Sequence, residues 1–345
     1  MAGFAFSFLK RTIMSEATVS IILSNFNHGH YLEQSLNAIF AQVCPADQVI
    51  VIDDGSTDNS LEIIRRYQDL YPQMDVLENG INRGLQYSIA RAMGLISSRY
   101  FVWTAADDVL LPTFLEKSMA ALSRHPDAGL CFSEVTQLLG DTGKIERFAE
   151  NPDIAHVFNL TKLPEYLSPH DLQHQMSKDY IAIYGNSIVC RFDALLSCGG
   201  FFRALEWHSD LFAFYAVAAR FGVCSVPETL ALIRTQPETY SRVGMQNNLQ
   251  QIGVLSALLD VLRLEEFKDI RRFFIACPSF FSPFGTLMLR VMLRRPGDYR
   301  LMLKYFLWKF REYKRGHRLS WLRVCCILPL KITHFYVDRL KAKFA

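Results

Sequence analysis

Two pairs of adjacent aspartates follow apolar runs in the first third of the chain. Asp53 and Asp54 follow the run Val-Ile-Val-Ile, and Asp107 and Asp108 come shortly after Tyr-Phe-Val-Trp. A carboxylate at the end of a buried strand needs a ligand, a hydrogen-bond donor or solvent. The first pair predicts contacts to a nucleobase N–H or a ribose hydroxyl. The second pair suits a hard divalent cation, Mg²⁺ or Mn²⁺, although Asp108 as a helix cap is the alternative.

The segments that position these carboxylates alternate between strand-like and helical periods. Short apolar runs predict buried strands, and apolar residues at helical spacing lie between them. The predicted strands are residues 19–24, 48–53, 74–78, 99–104 and 128–133, and the predicted helices are 31–42, 59–70, 84–95 and 112–125, the last opened by Pro112. This alternation predicts an α/β fold, a mostly parallel sheet with helices on both faces. Its ligands should bind at the carboxyl ends of the strands.

The middle of the chain has a less regular pattern. Residues 136–180 are polar and rich in proline, which predicts a long loop or lid. A strand-like run at 183–191 follows, then a short helix at 192–198. A further helix runs from Asp210 to residue 221, and the next strand spans residues 223–226. From residue 247 onward the pattern is helical and increasingly basic.

Composition excludes several classes of protein. Half of the 345 residues are hydrophobic and 21% are charged, which excludes a disordered chain. None of the eight cysteines forms a CxxC pair, and the N-terminal residues have no secretory signal, since Lys10 and Arg11 follow the apolar run. These features favour the reducing cytoplasm. No window reaches the ~18 apolar residues that a membrane span needs; the nearest are 273–289 and 324–337.

The charge is divided unevenly along the chain. Residues 290–345 contain 15 Lys and Arg against 3 Asp and Glu, a net charge of +12, whereas the first 289 residues carry −9. The basic region is also rich in aromatic residues and has helical periodicity. It predicts a helix that lies on the inner face of the cell membrane or packs on the protein's own core. Nucleic acid is excluded as a partner because the acidic body would repel phosphate.

Four motifs together carry a resemblance to a known family. They are the segment Val19–Asn27, VIDDGSTDNS from Val51, NRGLQYSIARAMG from Asn82 and YFVWTAADDVLLP from Tyr100, and the later segment GGFFRALEWHSDLFAFYAVAARFG from Gly199 agrees with them. In this order and spacing they resemble the family 2 glycosyltransferases, over about residues 17–245. The resemblance implies a GT-A fold for 17–245, divided into a nucleotide-sugar half (17–135) and an acceptor half (136–245). An N-terminal extension (1–16) and a helical basic region (246–345) complete the predicted organisation.

The resemblance also implies roles for particular residues. Those expected to contact the nucleotide sugar are Asn27, Asp53, Asp54, Arg83, Arg91 and Asp107. Asp210 stands where the family has its catalytic base; the alternative is a carboxylate favoured by the helix dipole. Weaker candidates for the site are Asp108, Glu206, His208 and Arg234. Asn27 as a turn residue, Arg91 as a surface cation and Asp53 as a structural partner of an arginine are the alternatives left open.

Two positions depart from the family's metal-binding pattern. Ala105 stands where the first aspartate of the metal motif is usual, and Gln236 stands where a histidine is usual. Asp107 is retained, and a diphosphate supplies further oxygen ligands. We therefore expect Mn²⁺ or Mg²⁺ bound at Asp107 by a weakened set of ligands.

The resemblance implies an inverting glycosyltransferase. It would move a sugar from a nucleotide-diphosphate donor to the hydroxyl of a glycan or lipid-linked acceptor, in bacterial surface polysaccharide or glycan synthesis. The alternative is a catalytically degenerate scaffold that binds a nucleotide sugar or a partner without turnover. Ala105 and Gln236 favour that alternative, whereas the intact Asp54, Asp107 and Asp210 argue against it.

Overall fold

A computed structural model describes residues 18–140, 144–146, 160–236 and 239–316. The chain divides into two compact units, residues 1–280 and 281–345. The predicted N-terminal extension 1–16, the apolar window 324–337 and the end of the basic region lie outside the described residues.

The first unit is built on one mixed sheet. Its strands are β1 (Val19–Asn25), β2 (Gln48–Asp53), β3 (Met74–Glu78), β4 (Tyr100–Ala105), β5 (Val109–Leu110), β6 (Leu130–Leu139), β7 (Lys144–Glu146), β8 (Tyr166–Leu167), β9 (Ile188–Arg191) and β10 (Val223–Thr235). Within the described residues their order is β3-β2-β1-β4-β9-β6-β10-β5, with β7 beside β6 and β8 beside β10.

Parallel pairing brings the carboxyl ends of the first strands together. β2 pairs with β1 so that Asp53 lies beside Asn25, and β4 pairs with β1 so that Ala105 lies beside Ser24. β3 adds to β2, and β10 pairs with β6, both in parallel. β9 runs antiparallel between β4 and β6. The predicted α/β sheet is confirmed, and the motifs that follow β1, β2 and β4 share one edge.

Helices follow most of the strands. In the first unit these are α1 (Gly29–Phe40), α2 (Ser60–Leu70), α3 (Leu85–Met93), α4 (Phe114–Arg124), α5 (Pro169–Lys178), α6 (Phe192–Ser197), α7 (Ser209–Phe221), α8 (Tyr240–Gln246), α9 (Asn248–Val261) and α10 (Lys268–Ala276). Leu32, Leu36 and Ile64 are buried with the β1 and β2 side chains in one core cluster. The apolar faces that predicted these helices therefore form the core.

Several segments differ from their sequence predictions: the strand predicted at 183–191 begins only at Ile188, after a 3₁₀ turn at Gly185–Ser187. α4 begins at Phe114, so Pro112 lies in the preceding turn and not in the helix. The predicted irregular segment 136–180 contains α5, because the Ser168 side chain caps it and Leu172 and Met176 are buried. The strand predicted from residue 223 continues to Thr235, where it pairs with β6 along its length.

The first unit extends past the predicted boundary at residue 245. Trp207 Nε1 donates to Gln251 Oε1 on α9 at 2.7 Å. Arg220 forms an ion pair of 2.7 Å with Asp269 on α10. These bonds explain why α9 and α10 belong with the α/β sheet and not with the basic region.

The second unit contains α11 (Gly285–Leu293) and α12 (Tyr299–Gly316) in its described part. The hydroxyl of Tyr305 on α12 donates to the carbonyls of Phe281 and Gly285, both at 2.9 Å. None of the described helices is by itself long and apolar enough to cross a membrane, although the consecutive segments Glu265–Ala276 and Pro278–Leu293 together have the required length and composition.

Candidate active site

The Asp53 carboxylate organises the loop that follows β2. Asn25 donates to its Oδ2 at 2.7 Å, and the Ser56 hydroxyl donates to the same atom at 2.6 Å. The backbone amides of Gly55 and Ser56 donate to Oδ1 at 3.1 and 2.8 Å. Four donors occupy a carboxylate that has about four lone-pair positions. Asp53, predicted to contact the nucleotide sugar or an arginine, instead has a structural environment made by its own loop.

Asn27 joins the loops after β1 and β2. It has a positive φ of 54°, a conformation that asparagine tolerates better than most residues. The side-chain Oδ1 of Asn27 accepts from the Thr57 backbone amide at 2.7 Å, and the backbone amide of Asn27 donates to the Ser56 hydroxyl at 2.8 Å. These are the contacts of a turn residue before α1, which is the alternative left open by the sequence. The side chain of Asn27 is half-buried.

Asp54 holds a second loop, residues 79–84, against the end of β2. Its carboxylate accepts from Asn79 Nδ2 at 2.6 Å and from the backbone amides of Arg83 and Gly84 at 2.9 and 2.8 Å. The loops approach so closely at Gly55, where φ is +77°, that a side chain there would lie 2.3 Å from the Ile81 carbonyl carbon. Asp54 thus fixes the start of α3.

The two predicted arginines have different environments. Arg91 Nη1 donates to the Glu78 carbonyl at 3.1 Å and to Asn79 Oδ1, so these bonds stabilise the start of the 79–84 loop. Arg83 is exposed, and its guanidinium lies 5.5 Å from the centre of the Tyr87 ring. No described carboxylate pairs with Arg83, so it is the cation that an anionic ligand can reach.

The turn after β4 separates the roles of its two aspartates. Asp108 accepts from Asn186 Nδ2 and from the Arg234 backbone amide, the latter at 2.9 Å. Burial and the neighbouring charge of Asp107 raise the pKa of Asp108 well above its usual range. Asp107 is 6% exposed, and no described residue donates to its carboxylate. Asp107 is therefore the member of the pair available to a ligand.

Arg234 is occupied by protein contacts. Its Nε donates to the Asp107 carbonyl at 3.0 Å, its Nη1 to the Gly140 carbonyl at 2.6 Å and its Nη2 to Gln34 Oε1 at 2.7 Å. The guanidinium carbon lies 3.9 Å from the centre of the Tyr31 ring. Arg234, a weaker candidate for ligand contact, instead supports the turn that presents Asp107.

Asp210 lies in the first turn of α7 without a cationic partner among the described side chains. Its Oδ1 accepts only from the Leu211 backbone amide, at 2.7 Å. Burial raises the pKa of Asp210 from 3.8 to about 6. A carboxylate whose pKa is close to neutral, and which is not neutralised by an ion pair, has the properties of a general base.

A short 3₁₀ turn, Gly185–Ser187, joins Asp210 to the turn after β4. Asn186 donates to Asp108, as described above. A methyl group on Gly185 would lie 2.8 Å from Oδ2 of Asp210. Consecutive Cα atoms are ~3.8 Å apart, so this turn brings the two predicted carboxylate positions close together, although they are distant in the sequence.

His208 belongs to a buried hydrogen-bond chain. The indole of Trp207 is only a donor, so Gln251 presents its oxygen to Trp207 and its amide nitrogen to His208 Nε2, at 2.9 Å. His208 Nε2 is therefore an acceptor and the ring is neutral. Burial lowers the pKa of His208 to about 4. These contacts are those of a packed histidine with its hydrogen bonds satisfied, and they do not favour a role for His208 in proton transfer.

Glu206 lies beside this chain in an unusual backbone conformation, with φ 45° and ψ −120°. Gln86 on α3 donates to its carbonyl at 2.8 Å, and the Tyr240 hydroxyl donates to its Oε2 at 2.5 Å. Burial and the bond to Glu206 raise the pKa of the Tyr240 hydroxyl. Glu206 thus connects α3, which follows the Asp54-held loop, to α8.

The part of the chain that the structure describes contains no group of three His, Cys, Asp or Glu side chains able to hold a metal. Ala105 offers no ligand, and the Gln236 amide nitrogen is buried without a described partner. Mg²⁺ is commonly held by one or two carboxylates together with substrate phosphates. The uncommitted carboxylate of Asp107 fits such a shared site, but not a site made by protein ligands alone.

Sequence reasoning missed Asn79, Asn186 and Gln251. Asn79 follows β3 directly, so the rule that selected the other polar residues after strands also points to it. Asn186 and Gln251 do not directly follow a predicted strand, so that rule does not select them. Their importance depends on contacts over 78 and 43 residues of sequence separation.

Comparison with known families agrees with this arrangement. The family model described as glycosyl transferase family 2 matches residues 20–162, which span β1 to the turn before α5. Residues 20–162 are therefore similar to the family 2 glycosyltransferases. An uncharacterized glycosyltransferase of Haemophilus influenzae is 31% identical over 107 residues, which are 31% of this chain and 33% of that protein. The Escherichia coli glycosyltransferase YibD is 32% identical over 114 residues, 33% of each chain.

This chain spans about a third of the length of those curated relatives. Two solved structures are similar over a larger share. S. aureus TarS 1–349 in complex with UDP-GlcNAc has a TM-score of 0.57 at 14% identity, over 87% of this chain and 92% of that one. Mannosyltransferase PcManGT from Pyrobaculum calidifontis, in complex with GDP-Man and Mn²⁺, has a TM-score of 0.51 at 16% identity, over 86% and 82%. At these identities the likeness concerns the fold, and it confirms the predicted GT-A class.

Proposed function

We propose that this chain is an inverting glycosyltransferase that moves a sugar from a nucleotide-diphosphate donor to an acceptor hydroxyl, in surface polysaccharide or glycan synthesis. The observation that carries the proposal is Asp210. Its carboxylate lacks an ion pair, has a pKa of about 6 and is joined through Gly185 and Asn186 to the aspartates after β4. A base is thus held next to the edge of the sheet where the donor would bind.

The reaction assigns each group one task. Asp210 accepts the proton of the acceptor hydroxyl while that oxygen attacks the anomeric carbon. The bond from the anomeric carbon to the diphosphate oxygen breaks, and the nucleoside diphosphate leaves. A single displacement inverts the anomeric configuration. Arg83 provides an exposed positive charge for the departing diphosphate, while Asn27, Asp54 and Arg91 shape the loops that hold the nucleotide.

A divalent cation fits the proposal at Asp107. The neighbouring Asp108 is already held by Asn186 and Arg234, so Asp107 would share the cation with the donor's diphosphate oxygens. When bound, the cation would neutralise charge on the leaving diphosphate. PcManGT, which has a similar fold, is titled as a complex with GDP-Man and Mn²⁺.

Calorimetry with nucleotides tests the proposal against the degenerate-scaffold alternative. UDP, GDP, CDP and dTDP are titrated with Mn²⁺ and again with EDTA, and nucleotide release is then measured with sugar donors of the nucleotide that binds. We expect one nucleotide to bind, more tightly with Mn²⁺, and its donor to turn over. Asp210→Asn should keep the binding and lose about 10²-fold or more of the turnover. Binding without turnover would favour the scaffold, and no binding of any nucleotide would exclude the transferase and leave a scaffold that binds a partner.

We also propose that the second unit attaches to an anionic membrane surface, where a lipid-linked acceptor would be found. On α12, Tyr299, Leu303 and Leu307 are 52%, 56% and 45% exposed. Their spacing of four residues places them on one helical face. The exposed cations Arg300 and Lys304 flank this stripe. Aromatic and aliphatic groups beside cations are typical of helices that lie in the interface of anionic bilayers.

Vesicle sedimentation tests the attachment. The protein should sediment with vesicles that contain phosphatidylserine and much less with phosphatidylcholine alone. Leu303→Asp should reduce the bound fraction, because it places a charge within the apolar stripe. Leu70→Asp changes an equally exposed leucine on α2 and should have no effect. Equal binding by both variants would contradict the proposal.

A further inference from the structure

An open pocket lies beside the segment that leads into α7. Its volume is about 610 Å³, within the range of small-molecule sites. Glu206, Trp207 and Tyr240 are among its lining residues, and so is Gly253 on α9. Neither the predicted nucleotide contacts nor the proposed base accounts for this pocket.

The walls of the pocket combine aromatic faces with one uncommitted acceptor. The rings of Trp207 and Tyr240 lie 6.0 Å apart at 75°, so they enclose a corner. Tyr240 donates to Oε2 of Glu206, and no described residue donates to Oε1. Gln250 adds an exposed amide at the rim. An occupant with an apolar face and hydroxyl groups at its edge matches these groups.

Packing and hydrogen bonds fix the positions of the residues that form this corner. Gly244 is buried against the Trp207 indole, where a side chain would lie 2.3 Å from the ring carbons. Gln251 fixes the indole from the other side through the 2.7 Å bond already described. Glu206 has a positive φ of 45°, a strained backbone conformation of a kind that is concentrated at functional sites. Packing and hydrogen bonds therefore hold both Glu206 and Trp207 in place.

One residue that lines the pocket is linked to the proposed base along the chain and to α3 by a hydrogen bond. Glu206 precedes Asp210 by four residues on the segment that enters α7. The Glu206 carbonyl accepts from Gln86 on α3, the helix that begins at the loop held by Asp54. A molecule in the pocket is thus bordered by residues that connect directly to the donor side and to the base.

We propose that this pocket binds a sugar ring of the acceptor glycan. The partially positive C–H groups of a pyranose pack on the negative face of the Trp207 indole, and its hydroxyls donate to Oε1 of Glu206. A flat hydrocarbon would leave that carboxylate oxygen unused. The inference rests on the proposed function, since it assigns the acceptor a saccharide next to the base.

Gly253 offers a matched pair of variants. It is an exposed helical residue, and a side chain added there meets no atom within 4 Å. Gly253→Phe should fill the pocket, whereas Gly253→Ala should leave it open. Both should fold, because replacing glycine within a helix removes backbone entropy from the unfolded chain.

Saturation-transfer NMR provides the test, with the methyl pyranosides of glucose, galactose, mannose and N-acetylglucosamine as probes. At least one glycoside should receive saturation from wild type and from Gly253→Ala, and about tenfold less from Gly253→Phe. Calorimetry with the nucleotides should give the same affinity for all three proteins. Choline is included as a competitor, because a carboxylate beside aromatic rings also suits a quaternary ammonium ion.

Three results would overturn the proposal: no glycoside binds wild type, Gly253→Phe binds as well as wild type, or choline displaces the glycoside. If wild type binds none of the nucleotides, that separate result would overturn the proposed function instead. The two failures are thus distinguishable in one set of samples.

Discussion

Replacing the proposed base should stabilise the protein while it removes turnover. Asp210 is a half-buried carboxylate without a described cationic partner, and Leu211 N–H donates to it. Burial raises its pKa from 3.8 to about 6, so the native state disfavours the ionised form. Asp210→Asn keeps the shape of the side chain and removes the charge. The variant should therefore gain stability wherever the wild-type carboxylate is ionised.

The pKa values determine the size and the sign of this gain. Between pH 3.8 and about 6 the native state holds a proton at Asp210 that the unfolded state has released. Stability of wild type therefore falls as the pH rises through this window, by about 3 kcal/mol in total. Roughly half of that fall, about 1.5 kcal/mol, lies between pH 5 and pH 8. The advantage of Asp210→Asn should grow by that amount over the same interval.

Urea denaturation of both proteins at pH 5 and pH 8 measures the difference. Comparison with wild type is essential because His208 acts in the opposite sense. Its pKa is lowered from 6.5 to about 4, so its contribution to stability is lost as the pH falls. The contribution of His208 to the free energy of unfolding is the same in both proteins, so it cancels in their difference. Asp69→Asn, a change at an exposed position on α2, is the control. An advantage that is the same at both pH values would refute the reasoning about Asp210.

Four further predictions concern activity and binding. Initial rates should fall about tenfold per pH unit below pH 6, because protonated Asp210 accepts no proton; a flat profile would exclude it as the base. Asp54→Ala should weaken nucleotide binding about tenfold or more in calorimetry, since three donors of the 79–84 loop lose their acceptor; unchanged affinity would contradict the role of that loop. Arg83→Ala should weaken binding chiefly at low ionic strength, and a loss independent of salt would argue against a phosphate contact. Gly185→Ala should lower kcat without changing the KM for the donor, because its methyl group displaces the Asp210 carboxylate; the surface control Asp69→Asn should leave both constants unchanged.

Much of the first half of the fold could be predicted from the sequence. The predicted bounds of β2 and β3 agree with the structure, because strands buried in a parallel sheet are continuous apolar runs. The prediction was weaker where local pattern competes with tertiary contacts. β10 extends nine residues beyond its predicted end at Val226, since β6 provides a partner along its whole length. The helix α5 was missed because its apolar residues are few and are buried only by distant elements.

The positions of the candidate site residues were also predictable in part. Parallel strands bring their carboxyl ends to one edge, so the polar residues after β1, β2 and β4 had to lie close together. Asp210 was selected by resemblance. The structure adds its environment, a pKa of about 6 and a connection through Gly185.

Only the tertiary structure distinguishes between neighbouring aspartates. Asp53 and Asp54 are adjacent and chemically identical, yet Asn25 from β1 helps to saturate the first while the second holds the 79–84 loop. Asp108 is bound by the backbone of Arg234, 126 residues away, and Asp107 is left to a ligand. The sequence alone determines which carboxylates lie at the edge of the sheet, because strand order and polarity are local properties. Which of them is free depends on donors from distant segments, and a distant donor leaves no local pattern in the chain.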